Sequence, residues 1–317
     1  MDISKHQHKN NFDQLPDDIV LFIFNKLWGA QWLCRCSVVS KRFASIVPHI
    51  NNVSVTLSRY HAWSIEEEVT SPVFNYLVGL KELMHLHIET HFCCAVDWKH
   101  SWSPHLKWKV NFNTNVRSFT FLMANFLIRA ELPPAEDEGE DEEKEDEEEE
   151  IQNEMYIRQD AELDRFNMAL ACFADSRMKL NIVLDMIKKH QMLRGIMLTD
   201  TMKEGKIVVF GNQIAELRNL ERAKLSTPEV DSDGVEFLVK CCHLPSLHLP
   251  KSKLLMNSPS LLYIRCVNSS SDDEGDDVID EDMLAGSYDD DKEGVYSEAV
   301  EEILAKHKNK MSTAWVT

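Results

Sequence analysis

The chain has 317 residues, 44 % of them hydrophobic and 27 % charged, with a formal net charge of −19. That length and apolar share suffice for two modest domains with cores of their own. No run of 18 apolar residues occurs, residues 1–11 lack the apolar stretch of a secretory signal, and eight cysteines are too few for a disulfide scaffold. The expectation is a nuclear or cytoplasmic protein with no membrane span and buried free thiols.

The charge is unevenly spread. Residues 136–150 hold thirteen acids and one lysine, and residues 272–293 hold twelve acids and one lysine, so these tracts account for −23 and the remainder is +4. Like charges at this density repel and build no core, which predicts solvated or disordered loops for both tracts. A nucleic-acid surface needs a basic footprint, so no specific nucleic-acid partner is expected. The tracts remain open to a basic protein partner.

From the N-terminus, the first patterned stretch is Phe12 to Ile50. Pro16 fixes φ where a first-turn N–H would go unused, so a helix begins at Leu15 or Pro16 with Asp17 and Asp18 at its positive end. Ile19, Ile23 and Leu27 recur every four residues beside Val20 and Phe24, and Leu21 and Phe22 are apolar as well. A helix apolar nearly all round needs cover on more than one side. Gly29 is expected to stop it, after which Leu33, Cys36, Val39, Phe43, Ile46 and Val47 form a second apolar periodicity interrupted by Lys41-Arg42. The surplus apolar surface packs either on the rest of the chain or on a partner.

Leu15-Pro16-Asp17-Asp18, the helix Ile19 to Leu27, and Leu33-x-x-Cys36-x-x-Val39-Ser40-Lys41-Arg42-Phe43 resemble the F-box family, with Phe43 where many members carry tryptophan. The resemblance implies a three-helix module that docks on a Skp-type adaptor, which connects to cullin and RING subunits that deliver ubiquitin to a target protein. On that basis Leu15, Pro16, Ile19 and Leu33 are expected at the adaptor contact, and Ile23, Leu27, Cys36, Val39 and Phe43 in the module's core. Two readings compete with a ligase subunit. One is a non-ligase scaffold using the same adaptor contact; the other is an acidic module that binds basic partners.

Beyond the module, Val53 to Leu57 alternates like a strand, and Val73 to Leu80 reads as a short helix leading into Leu83, Leu86 and Ile88. The spacing Leu80-x-x-Leu83-x-x-Leu86-x-Ile88 resembles one irregular unit of a leucine-rich repeat. Further strand-like pieces lie at 106–110, 116–122, 193–198, 207–210, 244–249 and 261–267, at irregular spacing. A degenerate horseshoe and an irregular α/β receptor fold both remain open, within an α+β or α/β class.

Trp98, Trp102 and Trp108, set among lysines and histidines, are a candidate target-contact region, because tryptophan gives rigid, amphipathic contact area. His85, His87, His91 and Cys93 carry metal-ligand atoms but lack a finger spacing, so no metal is expected. A helix through Leu163, Phe166, Leu170 and Phe173 is followed by a second one capped by Asp175 and running through Leu180, Val183, Leu184 and Ile187. Lys203-Glu204-Gly205-Lys206 is a hairpin turn made permissive by its glycine, Gly211-Asn212 ends the strand after it, and Val295 to His307 is a final amphipathic helix.

The segments 170–177, 180–188, 244–250 and 296–304 extend the resemblance to a small plant group of F-box proteins linked to hormone responses. No nucleotide-binding loop, serine elbow, zinc-protease motif or redox cysteine pair occurs, so no catalytic residue and no cofactor is assigned. The expected organisation is a flexible N-terminus at 1–11, the F-box at 12–50 and a receptor domain in two segments, 51–135 and 151–268. The acidic insertion at 136–150 divides those segments, and an acidic loop at 269–294 and a C-terminal helix and tail at 295–317 follow them.

Overall fold

The computed structural model describes residues 11–57, 72–90, 105–129, 147–224, 236–267, 276–286, 288, 291 and 294–316. The helices α1 (Asp17–Phe24), α2 (Ala30–Val39) and α3 (Lys41–Ile46) are followed by strand β1 (Asn52–Leu57), helix α4 (Pro72–Val78) and strand β2 (His85–Thr90). Next come β3 (His105–Phe112), β4 (Val116–Ala124), β5 (Phe126–Arg129), the long helix α5 (Glu147–Lys189), β6 (Gly195–Asp200), β7 (Lys206–Phe210) and α6 (Asn212–Lys224). The chain ends with β8 (Glu236–His243), β9 (Ser246–Leu249), β10 (Leu254–Asn257), β11 (Ser260–Val267), α7 (Asp276–Leu284), α8 (Val295–Lys306) and β12 (Ser312–Val316). The described residues fall into two compact units.

The first unit takes residues up to 91 together with 182–199 and 208–220. Its sheet has the order β1-β2-β6-β7, and β1 runs parallel to β2 with Asn52 opposite His85. One pattern recurs three times in it: Val47, Ile50, Val53 and Val55; Leu80, Leu83, Leu86 and Ile88; and His190, Leu193, Ile196 and Leu198. Every one of these side chains is buried. The main chain repeats with them, since the carbonyl of Asn51 accepts from Met84 and His85 while that of Met84 accepts from Arg194 and Gly195, at 2.8–3.0 Å. The spacing read at Leu80 therefore marks a real structural turn. Among the described residues no leucine-rich-repeat solenoid emerges, because this spacing occurs there three times and the β-rich remainder is antiparallel.

The second unit takes 92–181, 200–207 and 221–317. It contains a five-stranded sheet, β12-β8-β11-β4-β3, and a three-stranded sheet, β5-β10-β9. Leu122, Tyr263, Leu247, Leu249 and Met256 from these strands pack with Ile279 and Met283 of α7 and with Ala299, Val300 and Ile303 of α8. An aromatic series continues from Trp108 to Phe119, Phe173 and Phe237, with successive ring centroids 5.5–6.0 Å apart. Such edge and offset contacts add to the apolar burial.

Several expectations need correction. The two helices expected on either side of Asp175 are the single helix α5. Asp175 is no cap: it is buried and pairs with Lys179 one turn later, at 2.7 Å. The second acidic tract contains α7, whose Ile279 and Met283 are core residues, so it is only partly a loop. The left-handed residue after α1 is Trp28 (φ 51°), whereas Gly29 has φ −79° and serves as the N-cap of α2. A Cβ on Gly29 would come within 2.9 Å of the Trp32 ring, which is a steric reason for glycine there. In the turn between β6 and β7 the left-handed residue is likewise Lys203, and a Cβ on Gly205 would run into the Trp108 ring at 2.1 Å.

Candidate functional site: an exposed apolar helical module

Residues 12–50 bury a small core of their own. Val20 and Phe24, one turn apart on α1, are buried, with the Phe24 and Phe43 rings edge to face at 5.1 Å and the Phe12 ring edge to face with Phe43 at 6.0 Å. Ala30, Leu33, Ile46, Val47 and Ile50 complete it. Ser40 caps α3 by accepting the Phe43 N–H at 3.1 Å, which satisfies one of the orphan donors of a helix start.

Arg42 ties the opening segment to that core. Its Nε donates to Asp17 at 2.8 Å, its Nη1 to the Phe12 carbonyl at 3.0 Å, and its Nη2 to the Leu15 carbonyl. One guanidinium thus holds Leu15, Pro16 and Asp17 in register with α3. The basic step at Lys41-Arg42 marked the position, but sequence spacing gave no hint of the partners 25–30 residues upstream.

Around this core the module leaves a large apolar surface uncovered. Ile19 is 46 % exposed, Phe22 62 %, Val38 84 % and Val39 66 %, and Leu27, Trp28 and Trp32 are exposed as well. Single exposed apolar groups are ordinary, but a concentration of this kind within one module marks an interaction surface. Cations border it: the Lys26 ammonium lies 5.4 Å from the Phe22 ring centroid and the Arg35 guanidinium 4.7 Å from that of Trp32. The described residues leave open the second face of the nearly all-apolar first helix.

Of the four residues expected at the adaptor contact, Pro16 and Ile19 are exposed and Leu15 is half-buried. Leu33 is fully buried and belongs to the module's core, where it packs inward one turn after Ala30. Of the five expected core residues, Phe43 is buried, Ile23 and Cys36 are half-buried, and Leu27 and Val39 are exposed. Val39 points outward because α2 ends there and Ser40 turns the chain into α3. Phe22, Trp28, Trp32 and Val38 escaped notice as surface residues. For Phe22 the signal was present, since it lies off the Val20–Phe24 stripe.

The other candidates resolve differently. Trp108 is fully buried against Phe119 and Gly205, so it is no target-contact residue in this structure, and Trp98 and Trp102 lie outside the described residues. His91 and Cys93 also lie outside them. His85 Nδ1 is 3.0 Å from the Asn52 amide oxygen, and His87 bridges the Ser54 and Thr199 hydroxyls at 3.1 and 2.9 Å. Among the described residues no group of three metal-ligand side chains is poised to hold an ion, and no helix is long and apolar enough to cross a membrane. Burial pushes the Cys34 and Cys36 thiols up, away from the thiolate that nucleophilic chemistry requires.

Comparison with known proteins agrees with the geometry. Residues 12–50 match the F-box-like family model, the same limits as the helical module. Over 338 residues the chain is 26 % identical to F-box protein AUF2 of Arabidopsis thaliana, covering 94 % of this chain and 97 % of that protein. F-box protein AUF1 of the same plant is 21 % identical over 349 residues, with the same coverage of each chain. A further Arabidopsis thaliana F-box protein is 53 % identical over 49 residues, 16 % of this chain and 13 % of its own length. No solved structure matches. F-box proteins are non-catalytic adaptor subunits. The chain thus carries an F-box-like module at residues 12–50 and is similar along nearly its whole length to plant F-box proteins.

Proposed function

We propose that the chain is the substrate-recognition subunit of a Skp-cullin-F-box ubiquitin ligase, acting in the nucleus or cytoplasm. The module binds a Skp-type adaptor through Pro16, Ile19 and Phe22 with the neighbouring exposed apolar residues, and the rest of the chain holds a target protein. The observation that carries this reading is the uncovered apolar surface on a module whose limits coincide with the F-box-like match.

The chain supplies no chemistry in this scheme. Holding a target lysine close to a ubiquitin-loaded enzyme raises its effective concentration and fixes its orientation. Orientation passes through the chain only if the module is firmly joined to the unit it belongs to, and main-chain and side-chain contacts join it. Gly29 forms a parallel bridge with Ser54 of β1, the Asn25 side chain accepts the Asn51 N–H at 2.8 Å, and the Pro48 carbonyl accepts the Lys81 N–H at 2.8 Å.

The test is reconstitution with purified plant adaptor, cullin and RING subunits. The expected result is a stoichiometric complex that ubiquitinates a captured target and that fails to assemble when Ile19 and Phe22 are both changed to aspartate. Assembly without ubiquitination of any bound target would favour the scaffold reading. Assembly unaffected by the double substitution would overturn the contact.

A further inference from the structure

The second unit encloses a charge cluster that adaptor binding does not use. Lys179 of α5 is 1 % exposed, and its ammonium lies 2.7 Å from the Asp175 carboxylate, 3.7 Å from that of Asp200, and 5.0 Å from the centroid of the Trp108 ring. Asp200 begins the turn between β6 and β7 and accepts the backbone N–H groups of Glu204 at 2.9 Å and Gly205 at 3.1 Å. The turn in turn grips β3: the Glu204 carbonyl accepts the Trp108 N–H at 2.8 Å, and the Lys203 carbonyl accepts from the Lys107 ammonium.

The side chain of Glu204 is the odd member. Its Oε2 is fully enclosed and has no hydrogen-bond partner among the described residues, and neither has the enclosed Nε1 of Trp108. The groups around the carboxyl are Asp175 and Lys179 from α5, Asp200 from the end of β6, Lys107 from β3 and Tyr296 from α8. If Glu204 ionises, three carboxylates share one buried ammonium, with Lys107 as the further cation near them among the described residues. An ionised oxygen enclosed without a donor is costly, so the ionised side chain is driven toward water. It leads out from the same residue whose main chain clamps Trp108.

We propose that the turn 200–205 is a proton-operated clamp on β3, closed while the Glu204 carboxyl is neutral and loosened when it loses its proton. Burial, helped by Asp200, pushes this carboxyl up to about 7, so the clamp works in the neutral range. In water the same group has its ordinary value of 4.5. Opening therefore releases a proton, and the open form gains population as pH rises from about 5 to about 7, then levels off.

The readout is hydrogen exchange of the Trp108 amide in the full chain, corrected for the intrinsic pH dependence of exchange. In the unaltered protein its protection falls by up to about tenfold per pH unit between pH 5 and 7 and is flat above. Glu204→Gln removes that slope. Lys107→Gln, a change at an accessible side chain, withdraws a nearby cation and moves the levelling point to higher pH. The same slope in Glu204→Gln, or an unmoved levelling point in Lys107→Gln, overturns the proposal.

Discussion

The F-box-like module and the second unit both break the rule that apolar groups go inside and charges outside, and they break it in opposite directions. In the module, Ile19, Phe22, Trp28, Trp32, Val38 and Val39 stay exposed around a core of a few residues. In the second unit Lys179, Asp175, Asp200, Arg165 and Glu298 are buried. The buried charges have their partners inside the chain. Arg165, for example, reaches Asn125, Ser258 and Ser260 at 2.6–2.8 Å. The exposed apolar groups have none among the described residues, apart from the cations at their border. An inverted charge is a statement about how this chain folds; an inverted apolar face points to something outside it.

That contrast is most forcefully broken at Lys179. Lys179→Met leaves Asp175 and Asp200 buried without their cation, and the expected cost is about 3–5 kcal/mol of unfolding free energy, read from urea denaturation. A cost near zero would mean that the cluster carries no structural weight. Leu33→Ala should cost about 2–5 kcal/mol, because Leu33 lies in the module's core. Circular dichroism with urea measures it, and a change under about 0.5 kcal/mol would return Leu33 to the surface.

Ile19→Asp with Phe22→Asp should behave the other way round. Stability stays within about 1 kcal/mol, as is usual for exposed positions, while adaptor affinity falls by about 3 kcal/mol or more, a hundredfold or greater. The smallest effect separates the two units by pH. Burial holds His87 and His190 below the ordinary imidazole value of 6.5, so the folded first unit binds fewer protons than its unfolded form. Its stability is full above about 6.5 and declines as pH drops. Glu204 and Asp175, both pushed up by burial, give the opposite slope in the second unit, where stability declines as pH rises above their ordinary values. Amide exchange resolved by segment at pH 5 and pH 7 reads both trends, and parallel trends would contradict the assignment.

The sequence carried most where periodicity and local chemistry coincided. Pro16 with Asp17 and Asp18 marked the start of α1, alternation marked β1, and short apolar-rich pieces marked β3, β4 and β11. Strand β8 was not among them because Lys240 interrupts its apolar run, although Leu238, Val239, Lys240 and Cys242 are all buried. Helix α7 was hidden by its acids, although Asp282 is held there by Tyr263 at 2.6 Å and Asn111 at 2.9 Å. Asp175 looked like a cap because an aspartate before an apolar run has that meaning at a surface. Only burial reveals it as half of an ion pair. At the module, the surplus of apolar surface was legible, but which residue faces which way was not. Leu33 and Val39 differ in the neighbours that the turn at Ser40 supplies, and no spacing rule contains that turn.

The most direct measurement is the binding isotherm of the purified chain with a plant Skp-type adaptor, beside the Ile19→Asp/Phe22→Asp variant, with both unfolding midpoints recorded. The account predicts a one-to-one complex for the unaltered chain and a hundredfold or greater loss in a variant whose midpoint is unchanged. Equal affinity for the two folded proteins would show that the exposed apolar face is not where the adaptor binds.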